Sequence, residues 1–309
     1  MDVDLSTRNQ IAVQRRTSRF VPFLIALTIC AATSVTLGVS AWYLFGKNPA
    51  ANKQLNSKVL FDSAALSTPT DAARPSENPP KEKAPPASPP GTLEVTGGLF
   101  EFGGTGSTIP AQKVAVDTFF ISETEVTNEQ YQEFVKATNR ETPPGWKDGE
   151  FPAGAANKPV TNVKWQDAVD YCQWLSTKVG ANVRLPLETE WELAARGQQG
   201  FKYPWGNDWD DRAAASENQN GFVHAVKSYP AGRSPFGAYD MAGNVWEWVG
   251  DVRGPDGKPM SIDDAQNRVI KGGAANEHLA LISGTSRNLI PKDYAGAFLG
   301  FRYVVVMKS

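Results

Sequence analysis

One run of side chains limits what this chain can become more than any other. From Val21 to Phe45 the sequence VPFLIALTICAATSVTLGVSAWYLF carries 25 residues without a charge. A helix needs roughly 20 apolar residues to cross a bilayer, so this one is long enough to span with some tilt. Arg15, Arg16 and Arg19 precede it, and Trp42 and Tyr43 close it. Positive flanks stay inside and aromatic rings settle at the interface, so residues 1–20 are expected as a cytoplasmic tail and everything after Phe45 outside. A cleaved signal peptide, cut near Val39-Ser40-Ala41, is the alternative. Its apolar region is usually about 7 to 15 residues, however, and the longer run favours an uncleaved signal-anchor. The expected location is therefore a single-pass membrane protein, in a bacterium on the periplasmic face of the inner membrane.

Residues 46–93 change character to Pro, Ala, Ser, Lys and Glu, ending in ENPPKEKAPPASPPG. Such a segment has too little apolar surface to offset the entropy of folding, and its prolines favour extended backbone, so it reads as a disordered spacer. Residues 94–309 read as one globular domain. With a net charge of -2 the chain is not an electrostatic nucleic-acid binder. Its only cysteines are Cys30 and Cys172 and its only histidines are His224 and His278, a scarcity that excludes most thiol and multi-histidine chemistry.

Within that domain KVAVDTFFIS and FLGFRYVVV read as strands between Gly, Pro and Asn turns. Three helices are predicted. One begins at TNEQYQEFV, with Thr127 and Gln130 as a capping box and Tyr131, Phe134 and Val135 on its apolar face. The next is WQDAVDYCQWLSTKVG, where Ala168, Cys172, Leu175 and Val179 line one side and Gly180 ends it. Cys172 is then a packing residue rather than a nucleophile. The third lies in RLPLETEWELAARG, with Trp191 and Ala195 inward. Its Glu188, Glu190 and Glu192 sit in the first turns, where negative charge meets the helix dipole favourably and need not signal acid–base chemistry.

ETEVTNEQYQEFV, RLPLETEWELAARG, YPWGN, FGAYDMAGNVWEW, KGG and LGFRYVV occur in that order, and the ordered set resembles the formylglycine-generating enzyme family, the sulfatase-modifying factors. The resemblance covers about two thirds of the chain. It implies an α+β fold related to C-type lectins, with low regular secondary structure, preceded here by the one transmembrane helix. A local departure is Leu187, where the family usually has threonine, so a helix N-cap worth about 1 kcal/mol is expected to be missing.

Asp240 and Glu247 are hard oxygen ligands on a glycine-bearing loop, and the carbonyls of Gly243 and Val245 could complete an oxygen cage of the kind calcium takes. The resemblance points to the same four positions as a structural calcium site; a well-packed turn without metal is the alternative. A second calcium, near SENQNGF, would rest on Asn218 alone. In active relatives the segment matching KGGAANEHLALISGTSRN carries two cysteines that hold copper and oxidise a substrate cysteine to formylglycine. Those positions fall on Glu277 and Ile282. A carboxylate is a hard ligand and an isoleucine is inert, so a copper cofactor is not expected. Relatives that bind iron for sulfoxide synthesis need several histidines, more than this chain has. Glu277 beside His278 could still form a general-acid pair or half a metal site, against the plainer reading of a solvated surface pair.

The sequence therefore implies a membrane-anchored, extracytoplasmic pseudoenzyme of the formylglycine-generating type, which binds a protein or peptide partner in the groove its relatives use for substrate. Expected contacts are Trp205, Glu277, His278, Ser286 and Arg287, although Ser286 and Arg287 read equally as turn residues and Trp205 as core. An oxidoreductase modifying an exported protein through unconventional residues is one alternative, and an accessory factor for envelope enzyme maturation or secretion assembly is another.

Overall fold

The computed structural model describes residues 89–262 and 265–306. The expected tail, anchor and nearly all of the spacer lie outside the described residues. Among the described residues no helix is long and apolar enough to cross a membrane. The domain's first strand already includes Thr92 and Leu93, which the sequence placed at the end of the spacer.

Among the described residues, ten short strands, three α-helices and long turns make up an α+β domain. One sheet has the order β1 (Thr92–Val95), β4 (Phe119–Ser122), β10 (Val304–Val306), β5 (Asn182–Arg184), all antiparallel. A second has the order β8 (Arg287–Pro291), β7 (Asn267–Lys271), β6 (Trp246–Trp248), β9 (Leu299–Phe301), in which only the β6–β9 pair is parallel. A hairpin of β2 (Gly98–Phe102) and β3 (Gln112–Val116) completes the set.

The two apolar runs expected as strands each divide. KVAVDTFFIS breaks at Asp117-Thr118 into β3 and β4, and FLGFRYVVV breaks at Arg302-Tyr303 into β9 and β10, each half serving a different sheet. The second break has a physical cause. It carries Arg302 out of both ladders and into the fully buried space between them, where it finds anionic partners.

Helix α1 (Asn128–Thr138) starts as predicted. Thr127 Oγ1 accepts from Gln130 N at 3.3 Å and Gln130 Oε1 accepts from Thr127 N at 2.9 Å. Tyr131, Phe134 and Val135 are buried. Helix α2 (Trp165–Val179) ends at Gly180, whose φ of 68° suits a residue without a Cβ. It buries Ala168, Tyr171 and Cys172, but Val179, its last residue, is 52% exposed. Tyr171 takes the inward place instead, stacked on Tyr131 with ring centroids 5.8 Å apart.

Helix α3 (Glu188–Arg196) is buried along its whole length, with Trp191 and Ala195 inward as expected. It packs with β2, β3 and β7. The N-cap side chain is indeed missing at Leu187. Asp251 replaces it from another loop, its Oδ1 accepting from Glu188 N at 2.6 Å, while Glu190 Oε2 accepts from Leu187 N at 2.7 Å.

Candidate functional site

Strand alternation decides the roles of the three residues of β6. Side chains at positions one apart point to opposite faces. Trp246 and Trp248 therefore share one face, and Glu247 turns to the other. Trp248 is fully buried and its Nε1 donates to the Val163 carbonyl at 3.0 Å. Trp246 is half-buried and its Nε1 donates to Glu277 Oε1 at 3.2 Å. The turn before β6 needs Gly243, with φ 92°, because a Cβ there would lie 2.2 Å from the Ala215 carbonyl oxygen.

Glu247 is fully buried, and both its carboxylate oxygens are engaged. Oε2 accepts from Trp191 Nε1 and from Arg302 Nε, each at 2.7 Å, and Oε1 accepts from Arg302 Nη2 at 2.8 Å. This is a bidentate guanidinium–carboxylate pair, the strongest geometry available to two such groups. Two further carboxylates face the same arginine. Glu125 lies 4.0 Å from it and accepts from Asn244 Nδ2 at 2.9 Å, and its Oε2 has no hydrogen-bond partner. Asp240, with a φ of 59°, accepts from Lys227 N at 2.9 Å. Burial, then Asp240's charge, holds the Glu125 carboxyl well above its ordinary range. Burial pushes Asp240 up to about 6.

These placements bear on the expected calcium ligands Asp240, Gly243, Val245 and Glu247. The carboxylate of Glu247 is held by Arg302 and Trp191 through three hydrogen bonds. Val245 is buried, and its expected part, like that of Gly243, is through the backbone carbonyl. Among the described residues no group of three or more His, Cys, Asp or Glu side chains is arranged to hold a metal ion. Asn218, the basis for a second ion, is exposed and donates its amide to Asp211 at 3.3 Å.

The three glutamates of α3 do more than meet a helix dipole. Each is buried and has its own cation. Glu188 takes Arg287 at 2.7 Å, Glu190 takes Arg184 at 2.7 Å, and Glu192 takes both Arg196 at 2.6 Å and Lys271 at 2.9 Å. Lys271 also lies 5.7 Å from the centre of the Trp191 ring. The arrangement is a charge-paired structural network.

After β7 the chain turns at Gly273, where a Cβ would come within 2.6 Å of the Leu281 carbonyl oxygen. The next segment holds the two positions assigned to the copper-binding cysteines. Ile282 is fully buried. Glu277 is half-exposed and lines a recess of about 230 Å³ together with Trp246, Ile270, Asn288, Ile290 and Tyr294. Cys172, the one cysteine among the described residues, is buried on α2, and burial drives its thiol pKa far upward.

The five expected contacts do not converge. Glu277 reaches the recess. His278 leaves it, with 71% of its side chain exposed, Nδ1 accepting from Ala280 N at 3.2 Å and Nε2 3.9 Å from Glu217; the pair Glu277 and His278 is turned to separate partners. Ser286 is buried, 2.9 Å from Ser283 Oγ, and the side chain of Arg287 is only 3% exposed against Glu188. Both are internal, because the α3 carboxylate and the Ser283 hydroxyl need them. Trp205 stacks on Tyr203 at 5.2 Å and meets Trp209 at 5.7 Å in a separate aromatic group. Sequence reasoning missed Trp246, Ile270 and Ile290 as recess walls, and also Glu125 and Arg302. A charged residue inside the apolar run FLGFRYVVV was the available signal for Arg302.

Comparison with known proteins then gives a family. The family described as "Sulfatase-modifying factor enzyme 1-like domain" matches residues 77–307. The chain is 29% identical over 273 residues to "Inactive C-alpha-formylglycine-generating enzyme 2" of Mus musculus, covering 70% of this chain and 86% of that one. It is 28% identical over 285 residues to a formylglycine-generating enzyme of Thermomonospora curvata, covering 69% and 92%. Among solved structures, PvdO from Pseudomonas aeruginosa superimposes with a TM-score of 0.60 at 26% identity, over 69% of this chain and 93% of that one.

Proposed function

This chain belongs to the sulfatase-modifying factor enzyme 1-like family, and from that premise we propose that it binds an extended segment of an exported protein without oxidising it. Val21–Phe45 would hold the domain at the outer face of a membrane, and residues 46–93 would give it reach. The reading is supported by one observation above the others. Of the two positions that would need thiols, Glu277 is bonded to an indole and Ile282 is sealed in the core. A thiolate is required both as a soft ligand for Cu(I) and as the redox partner. Cys172 cannot substitute, because burial keeps it protonated within the apolar face of α2. A mouse relative carries the name of an inactive enzyme, which accords with a family that retains the fold after losing turnover.

The test is direct. The purified full-length protein is incubated with a cysteine-containing sulfatase-motif peptide, copper and dioxygen, and the peptide is weighed. An unchanged mass is expected. A loss corresponding to conversion of cysteine to formylglycine would end the proposal.

A further inference from the structure

The recess beside Glu277 lies on the face of the sheet that Trp246, Ile270, Ile290 and Leu299 share, one residue from each of β6, β7, β8 and β9. Its walls combine apolar and aromatic side chains with one carboxylate and two amides. Glu277 is the one ionisable carboxylate in its lining, and no lysine or arginine joins it there. That carboxylate has a single neutral partner, the Trp246 indole N–H at 3.2 Å, and among the described residues no cation lies within ion-pair distance of it. The buried glutamates Glu188, Glu190, Glu192 and Glu247 are matched by an arginine or lysine inside the fold, and Glu125 lies beside one; Glu277 instead lines a cavity that opens on the surface. Two amides, Asn276 and Asn288, add neutral donors and acceptors to the wall. Tyr294 forms the rim, 52% exposed, its ring held over Gly296, where a Cβ would come within 2.9 Å of it.

From this geometry we infer that the recess receives one lysine or arginine side chain of a protein partner. The inference rests on the binding role proposed above and names the chemistry of what is bound. An apolar stem fits the walls of Ile270, Ile290 and Leu299, and the charged head then meets Glu277 and the aromatic faces of Trp246 and Tyr294. Long cationic side chains bury their stems in this manner while the head keeps a polar partner, and an aromatic face attracts a cation electrostatically. At about 230 Å³ the recess is smaller than the roughly 300 to 1,000 Å³ of sites that enclose a whole small molecule. It is suited to one anchoring side chain of a larger partner.

The experiment titrates the full-length protein with short host peptides of constant sequence. The central residue is lysine, arginine, norleucine or glutamine, and calorimetry together with intrinsic tryptophan fluorescence reports binding. The lysine and arginine peptides are expected to bind roughly tenfold more tightly than the norleucine peptide, with an advantage that shrinks as salt rises. Glu277→Gln should erase that advantage, and Glu277→Lys should abolish binding of both cationic peptides. Circular dichroism on each variant separates a lost site from a lost fold, and Glu277 is half-exposed, so both should fold. Equal binding of the norleucine and lysine peptides, an unchanged preference in Glu277→Gln, or no binding of any peptide would overturn the inference. The thiol-peptide mass assay is read independently, so a failure here leaves the loss of oxidation standing, and the reverse also holds.

Discussion

A carboxylate removed from water is governed by the cation that reaches it, and Glu247 is reached by Arg302. Breaking a buried pair by deleting one partner leaves the other charge uncompensated, which typically costs about 3 to 5 kcal/mol. Glu247→Ala should therefore lose stability on that scale in urea denaturation. The loss should be the same in calcium and in chelator, because the partner is an arginine; a loss seen only when calcium is present would return Glu247 to the role of metal ligand. Asp240 supplies a second prediction. Burial raises its folded pKa from an ordinary 3.8 to about 6, so the folded state binds the extra proton between those values. Stability should fall as pH rises from about 4 to about 6, by something on the order of 3 kcal/mol at most, and level off above. The buried Glu125 carboxyl, also raised, acts with the same sign. Melting curves of Asp240→Asn in chelator should lose most of that slope; an undiminished slope would place the titration elsewhere. Glu247 and Asp240 were both singled out in the sequence by residue type. Their partners were not, since Glu125 and Arg302 come from segments 115 and 62 residues from Asp240 that only the folded topology brings together.

At the scale of elements, α1 was legible to the atom and α3 only in outline. The difference is locality. A capping box is written within four consecutive residues, so Thr127 and Gln130 announced themselves, and Thr127→Ala should cost about 1 kcal/mol in chemical denaturation. The start of α3 is capped by Asp251, which arrives from beyond β6. Asp251→Ala should cost a similar amount or more, since it also removes the carboxylate paired with Arg253 at 3.2 Å. A Thr127→Ala variant as stable as the parent would remove the box from the account. Helical periodicity placed Trp191 and Ala195 correctly because both faces of that helix are buried. It could not reveal that Glu188, Glu190 and Glu192 are buried too, because the compensating Arg184, Arg287 and Lys271 are carried by strands. Val179 marks the same limit: spacing gives the face of a helix but not how far along that face burial extends.

For the molecule as a whole, the order of motifs carried the family. Six short motifs in sequence led to the fold, and the match over residues 77–307 bears that out. The recess could not be read beforehand, because its walls come from four strands and two turns separated by up to about 50 residues. Its one charged residue, Glu277, was legible, because the resemblance aligns it with a position where active relatives carry a cysteine. The central claim is that this domain has exchanged copper chemistry for binding. The most direct measurement titrates the purified full-length protein with Cu(I) against a competing chelator, then follows dioxygen in an electrode cell after a thiol peptide is added. The account predicts no tight stoichiometric copper binding and no oxygen uptake above the protein-free control. One equivalent of tightly held Cu(I) together with peptide-dependent oxygen consumption would contradict it.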